Sequence, residues 1–345
     1  MNHSIAFPGL GIGEFTVNDT AFTLFGSLSI AWYGIIIVTG IILAVLYIYL
    51  RSKRDRLLLD DLIDIAFATV IPAIIGARLY YVFFKWLEDP DMYKSFIDVI
   101  NIRQGGLAVY GGVIFGLAGA FTIMRIKKIN VLKFFDCGVG GLMLAQALGR
   151  WGNFFNAEAY GGETSLPWGM SIDGRAPVHP TFLYESLWNV IGFVLLDRVI
   201  LKHKKYDGEG FLFYITWYGL GRAFIEGLRT DSLYIGNSGI RVSQLVAAVC
   251  CVVGAVLMIV FRVIPKKLPY GDCMYLKDSK KYAKVMESSE DSKEANGSIV
   301  FAASGVSDGQ TEAQASEVSD EEPGQEGSGT EVSNDGEEHD GEHDN

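Results

Sequence analysis

Seven stretches of the chain run for about twenty residues with few or no charges: 29–50, 62–84, 107–124, 131–149, 181–200, 210–228 and 242–263. About 20 mostly apolar residues are what an α-helix needs to cross a hydrocarbon layer roughly 30 Å thick. The pattern therefore predicts an all-α integral membrane protein, a bundle of seven transmembrane helices within residues 1–264. The first, second and seventh stretches are the plainest. The third and fourth are rich in glycine, and the fifth and sixth carry charges. Gly112 and Gly116 form a GxxxG pair in the third, and Gly138, Gly140 and Gly141 lie in the fourth. Small residues at such spacing let helix backbones approach closely.

The apolar pattern stops at 264, and residues 265–345 read as a tail. From Glu287 onward there are 18 acidic residues and one Lys, a net of −17. The whole chain carries −11, so the remainder carries +6. An acidic, Ser/Gly-rich stretch poor in aromatics buries too little surface to offset its ordering entropy, which predicts disorder from about 287.

Lys and Arg in the connections set the orientation. The stretches 51–56, 125–133, 198–205 and 262–267 hold four, four, four and three. The alternate set, 1–21, 85–103, 150–180 and 222–241, holds eight against those fifteen. The positive-inside rule then places the N-terminus outside and the C-terminus, with the acidic tail, in the cytoplasm. Residues 1–21 contain no Lys or Arg, so no cleavable signal peptide is expected. Cys137, Cys250, Cys251 and Cys273 have no spacing that suggests a disulfide framework or a metal site.

Against this background, several charged residues sit where lipid would make them costly. Arg78 lies late in the second stretch and Arg150 closes the fourth. Tyr218, Arg222 and Glu226 recur at intervals of four in the sixth, on one helical face, with Arg229 three residues on. The topology points all of these ends outward. The segment 149–161, GRWGNFFNAEAYG, places a cation, two amides and a carboxylate between glycines directly after a span. Arg150 and Asn153 would share a face if helix continues there. An arginine fork suits phosphate oxygens, and glycines let a headgroup approach the backbone. The chemistry is that of an anion-holding site facing lipid, with a phospholipid headgroup as the anion.

With Gly149, Arg150, Gly152, Asn153, Phe154, Asn156, Glu158 and Gly161 in that order, the chain resembles the prolipoprotein diacylglyceryl transferase family. Further matching motifs are Trp32-Tyr33-Gly34, Gly76-x-Arg78-x-x-Tyr81-Val82, and the pairs Gly105-Gly106 and Gly111-Gly112. His179-Pro180-Thr181-x-Leu183-Tyr184-Glu185 and Tyr218-Gly219-x-x-Arg222-x-x-x-Glu226 complete the set. The resemblance covers about residues 20–264. It implies transfer of the diacylglyceryl group of phosphatidylglycerol to the lipobox cysteine of a prolipoprotein signal peptide, in the bacterial cytoplasmic membrane. It implies no metal, no cofactor and no nucleic-acid partner. By carry-over, Arg150, Arg222, Tyr110, Glu158, Asn153 and Tyr33 are expected in catalysis. Arg150, Gly161, Tyr218, Asn156, Arg78, His179 and Glu226 are expected to bind substrate. Tyr110 departs from the family, many of whose members have histidine there. Tyrosine titrates near pH 10 and is a poor base at neutrality. Two other readings are a transporter of an organic anion and a membrane scaffold acting through its acidic tail. No internal repeat supports the first, and the second leaves the polar cluster at 149–161 unexplained.

Overall fold

The computed structural model describes residues 2–25, 28–90, 92–93, 95–102, 105–230, 241–264 and 273–287. The acidic stretch beyond Glu287 lies outside the described residues, as do 231–240 and 265–272. Four strands come first: β1 (Asn2–Phe7), β2 (Ile12–Asn18), β3 (Thr20–Leu24) and β4 (Leu28–Ala31). Then follow α1 (Trp32–Ser52), α2 (Leu59–Glu88), the short α3 (Phe96–Ile100), α4 (Val109–Ile126) and α5 (Val131–Phe155). A two-residue strand β5 (Ser171–Ile172) precedes α6 (Thr181–Leu195), which continues as a π-helical turn to Ile200. The last long helices are α7 (Glu209–Glu226) and α8 (Val242–Val263).

Helices occupy all seven predicted stretches. Five of them, α1, α2, α4, α5 and α8, are long and apolar enough to cross a membrane. Many of their large side chains, such as Val38, Ile42, Phe67, Ile114, Val252 and Ile259, face outward uncovered, as a hydrocarbon solvent allows. α6 is only 15 residues long before its π-helical turn and carries Glu185, and α7 carries Glu209, Arg222 and Glu226. Those three glutamates are buried inside the protein.

The all-α expectation needs one correction, because the fold is mostly helical but carries an N-terminal β layer. β1 pairs antiparallel with β2 and with β5, some 165 residues away, and β3 pairs with β4. Ile5, Val17, Met170, Ile172 and Phe182 form a buried cluster where this sheet meets the start of α6. The alternation within β1 spans only six residues, and its second partner is remote in sequence, so no local pattern marks it.

Close helix approach follows the small residues. α4 lies along α2, where a side chain at Gly111 would strike the carbonyl of Gly76 and one at Gly119 the carbonyl of Ala68. Pro72 has no N–H to bond to that Ala68 carbonyl four residues back, and Gly119 packs against it. The predicted pair Gly112 and Gly116 faces α2 as well, more loosely. α5 runs along α1 with Gly141 against the backbone of Ala44. Between α6 and α7, Trp188 and Trp217 stack at 4.4 Å, and each indole N–H donates to the other's backbone carbonyl at 2.9 Å.

At the end of the bundle opposite Arg150, Asp136 of α5 accepts the N–H groups of Gly208 (2.9 Å) and Phe211 (3.1 Å) at the start of α7. Lys204 lies 3.2 Å from the same carboxylate. A carboxylate at a helix N-terminus satisfies orphan donors and complements the dipole.

Candidate active site

α5 carries its helix past Arg150 to Phe155, so Arg150 and Asn153 do share a face. Arg150 Nη1 donates to Asn153 Oδ1 at 3.3 Å. The chain then turns through Ala157 and Ala159, both at positive φ (49° and 57°), which folds Glu158 back over the helix end. The amides of Asn153 and Asn156 both donate to Glu158 Oε1, at 2.9 and 3.3 Å. The four polar residues of the segment thus form one chain of hydrogen bonds with Arg150 at its inner end.

Gly161 closes the turn. Its N–H donates to the carbonyl of His179 (2.9 Å), it bridges to Arg229, and Gly162 N–H donates to the carbonyl of Leu228 (2.8 Å). A Cβ at Gly161 would lie 2.7 Å from His179 Cβ and 2.9 Å from the Leu228 carbonyl. The glycine is therefore what lets this loop wedge between the approach to α6 and the end of α7.

That wedge brings the cations together. Glu185, 4% exposed, receives Arg150 from α5 at 2.5 Å, Arg222 from α7 at 3.1 Å and Arg229, just past α7, at 3.6 Å. Arg222 also pairs with Glu226 at 2.7 Å, the one-turn contact expected on that face. Glu226 accepts from the hydroxyl of Ser243 at 2.6 Å, and Arg241 donates to its backbone carbonyl. Three guanidiniums thus meet Glu185, and a fourth, that of Arg241, meets the backbone of Glu226, all in a largely buried setting. Such groups interact far more strongly here than in water.

The other expected residues fall in three places. Tyr33, in the first turn of α1, lays its ring against Gly152, and Tyr218 stacks on Tyr214 one turn before Arg222 at 5.6 Å. His179 Nδ1 lies 3.2 Å from the Tyr184 hydroxyl, which accepts from Trp168 Nε1 at 2.8 Å. Arg78 and Tyr110 belong to the α2–α4 pair. Arg78 donates to the carbonyls of Val99 (2.7 Å), Asp98 (2.8 Å), Gly106 (3.0 Å) and Gly105 (3.1 Å), holding the loop between α3 and α4 beside a cleft of about 310 Å³. Tyr110 stands in the first turn of α4, 63% exposed. Among the described residues no hydrogen bond or ion pair ties either to the arginine cluster.

Sequence reasoning placed Glu185 in a motif without giving it a role, and it passed over Arg241 and Ser243. The signal that joins them is spatial: a glutamate on a third element, one turn into α6, at the height where α5 and α7 end.

The prolipoprotein diacylglyceryl transferase family profile matches residues 19–260, about 70% of the chain. The chain belongs to this family. A phosphatidylglycerol–prolipoprotein diacylglyceryl transferase of Clostridioides difficile is 45% identical over 240 residues, covering 70% of this chain and 94% of the relative. The enzyme of that name from Enterococcus faecalis is 46% identical over 261 residues, 71% of this chain and 91% of the relative. That of Finegoldia magna is 44% identical over 247 residues, 71% and 96%. A member of the prolipoprotein diacylglyceryl transferase family is a membrane transferase, and nothing in these matches supports the transporter reading.

Proposed function

We propose that this chain transfers the diacylglyceryl group of phosphatidylglycerol to the thiol of the lipobox cysteine of prolipoproteins, at the arginine cluster around Glu185. The sulfur attacks the glyceryl carbon and the bond from that carbon to the phosphate oxygen breaks. Glycerol phosphate leaves with the bonding electron pair, and the thiol proton passes to a base. The observation that carries the reading is the convergence of Arg150, Arg222 and Arg229 on one buried carboxylate. A phosphodiester carries one negative charge and a departing phosphate monoester gains a second, so a cluster of guanidiniums favours the leaving group over the bound lipid. Fixed charge that favours the later state lowers the barrier.

In this reading Arg150 and Arg222 hold the phosphate, with Asn153, Asn156 and Glu158 orienting Arg150 and meeting the glycerol headgroup. Gly161 keeps the loop in place. Tyr33, Tyr218, His179 and Glu226 border the lipid, Arg78 fixes the loop over the cleft, and the Tyr110 hydroxyl hydrogen-bonds substrate. The seven-span topology goes with it: α6 and α7 span, the N-terminus is outside, and the site opens to the outer leaflet of the bacterial cytoplasmic membrane. Residues 1–264 are the catalytic domain, and 265–345 form a cytoplasmic tail that is disordered from about 287. The test is incubation of the purified protein with phosphatidylglycerol and a lipobox peptide. A mass gain of one diacylglyceryl on the cysteine is expected, and an unmodified peptide would overturn the reading.

A further inference from the structure

The helices fall into two groups. α2 packs along α4 and touches α3. α1 packs along α5, which in turn contacts α6 and α7, and α7 packs along α8. Contact between the groups is sparse: α1 meets α2, and α4 meets α5, only slightly. The α2–α4 pair is therefore an arm, joined to the rest of the bundle by two chain connections, residues 53–58 and 127–130. Both connections lie at the same end. The opposite end of the arm carries Arg78, Tyr110 and the loop between α3 and α4.

Residues 273–287, which lie beyond the family match at 19–260, bind across both connections. Met274 N–H donates to the carbonyl of Asp55 (2.7 Å) in the first. Its carbonyl accepts from Asn130 N–H (2.8 Å) in the second, and Leu276 N–H donates to the carbonyl of Lys128 (2.8 Å). Side chains repeat the bridge. Asp61, fully buried at the start of α2, is 2.6 Å from Lys127 at the end of α4. It also accepts from the Tyr275 hydroxyl at 2.5 Å and from Lys281 at 2.7 Å. Asp278 lies 2.8 Å from Lys128, which holds its carboxyl below the usual range. Cys273, Met274, Tyr275 and Val285 are buried in one apolar cluster. It includes Leu57, Leu62 and Ile65 at one connection, and Met124, Ile129, Phe134 and Cys137 at the other.

We propose that residues 273–287 are a clasp that locks the hinge of the α2–α4 arm, so that the far end of the arm keeps its position beside the rest of the bundle. A helix of 30 residues is about 45 Å long, so α2 carries a small loosening at its base as a much larger displacement at its tip. The two peptide connections alone permit rotation. The clasp adds three backbone hydrogen bonds, the Tyr275 hydroxyl and Lys281 ammonium on Asp61, and a shared apolar core. Its role is mechanical and acts at a distance from its own contacts.

Amide hydrogen exchange on the full-length protein in detergent micelles tests this. Three forms are compared with wild type: a truncation after residue 287, a truncation after residue 272, and the full chain with Tyr275→Phe and Lys281→Ala together. The truncation after 287 is expected to match wild type. The truncation after 272 is expected to raise deuterium uptake at 53–58 and 127–130, where the clasp sits. It is also expected to raise uptake several-fold at 98–112, the far end of the arm, which the clasp does not touch. The double variant, which keeps the backbone contacts, should raise uptake at 98–112 to a smaller extent. It serves as the deciding case where the shorter truncation fails to fold. Unchanged uptake at 98–112 in the double variant, and in any folded truncation after 272, would overturn the proposal.

Discussion

Arg150 Nη2 and Glu185 Oε2 lie 2.5 Å apart, linking the end of α5 to the second turn of α6. The same carboxylate holds Arg222 from α7, so one acidic side chain fixes the spacing of cations from separate helices. Arginine supplies five donors in a planar fork, and only some of them face Glu185 and Asn153. Among the described residues, Arg150 has donors beyond these two contacts that can meet an anion.

Arg150→Ala should abolish diacylglyceryl transfer while the protein remains inserted and folded. Arg150→Lys should also be badly impaired, because a point charge does not reproduce a bidentate fork. Initial rates of the purified variants decide it. Wild-type turnover by Arg150→Ala would remove this residue from the chemistry.

Removing Glu185 should damage the fold as well as the rate. Glu185→Ala leaves three arginines facing one another without the carboxylate, and breaking a buried ion pair in this way costs roughly 3–5 kcal/mol. A lowered unfolding temperature together with lost activity is expected. Glu185→Gln keeps the shape and should fold better, yet still transfer slowly, because the amide cannot hold two guanidiniums in register. A Gln variant with full activity would show that the carboxylate charge does not set the geometry.

Tyr110→Phe should lose on the order of 1–3 kcal/mol of transition-state stabilisation, the usual effect of leaving a substrate polar group without its partner. The ring is 63% exposed in the free protein, so its hydroxyl is available to an incoming lipid or peptide. Tyr110→His should retain more activity than Tyr110→Phe, since imidazole restores a polar group and titrates near neutrality. The measurement is initial rate against pH for the three proteins in the same detergent and lipid. Identical profiles for Tyr110→Phe and wild type would make this position structural.

Deleting residues 288–345 should leave turnover intact. The cut falls after Val285 and Met286, which pack onto the helices, and it removes only the acidic sequence that follows them. Loss of transfer by this truncation would mean that the tail or the site is misplaced.

The helices were legible because long apolar runs are written in consecutive residues: all seven stretches hold a helix, and five of these helices are long and apolar enough to cross a membrane. Arg150, Asn153, Asn156 and Glu158 were legible for the same reason, as neighbours within nine residues of sequence. The N-terminal strands were not, since β1 finds its second partner at Ser171 and Ile172. Glu185 as the meeting point of three arginines was also hidden, because it depends on the relative heights of α5, α6 and α7. Arg78 shows the converse limit. A charged residue near a span end does read as a site, yet its donors hold backbone carbonyls of its own arm.

The most direct measurement of the central claim follows both products at once. Phosphatidylglycerol labelled in its headgroup glycerol is incubated with lipobox peptide and either wild-type protein or Arg150→Ala. Released glycerol phosphate and diacylglyceryl peptide are then counted. The account predicts one glycerol phosphate for each thioether formed by the wild type, and neither product from the variant. Thioether without glycerol phosphate, or equal release by Arg150→Ala, would contradict a reaction driven by phosphate departure at the arginine cluster.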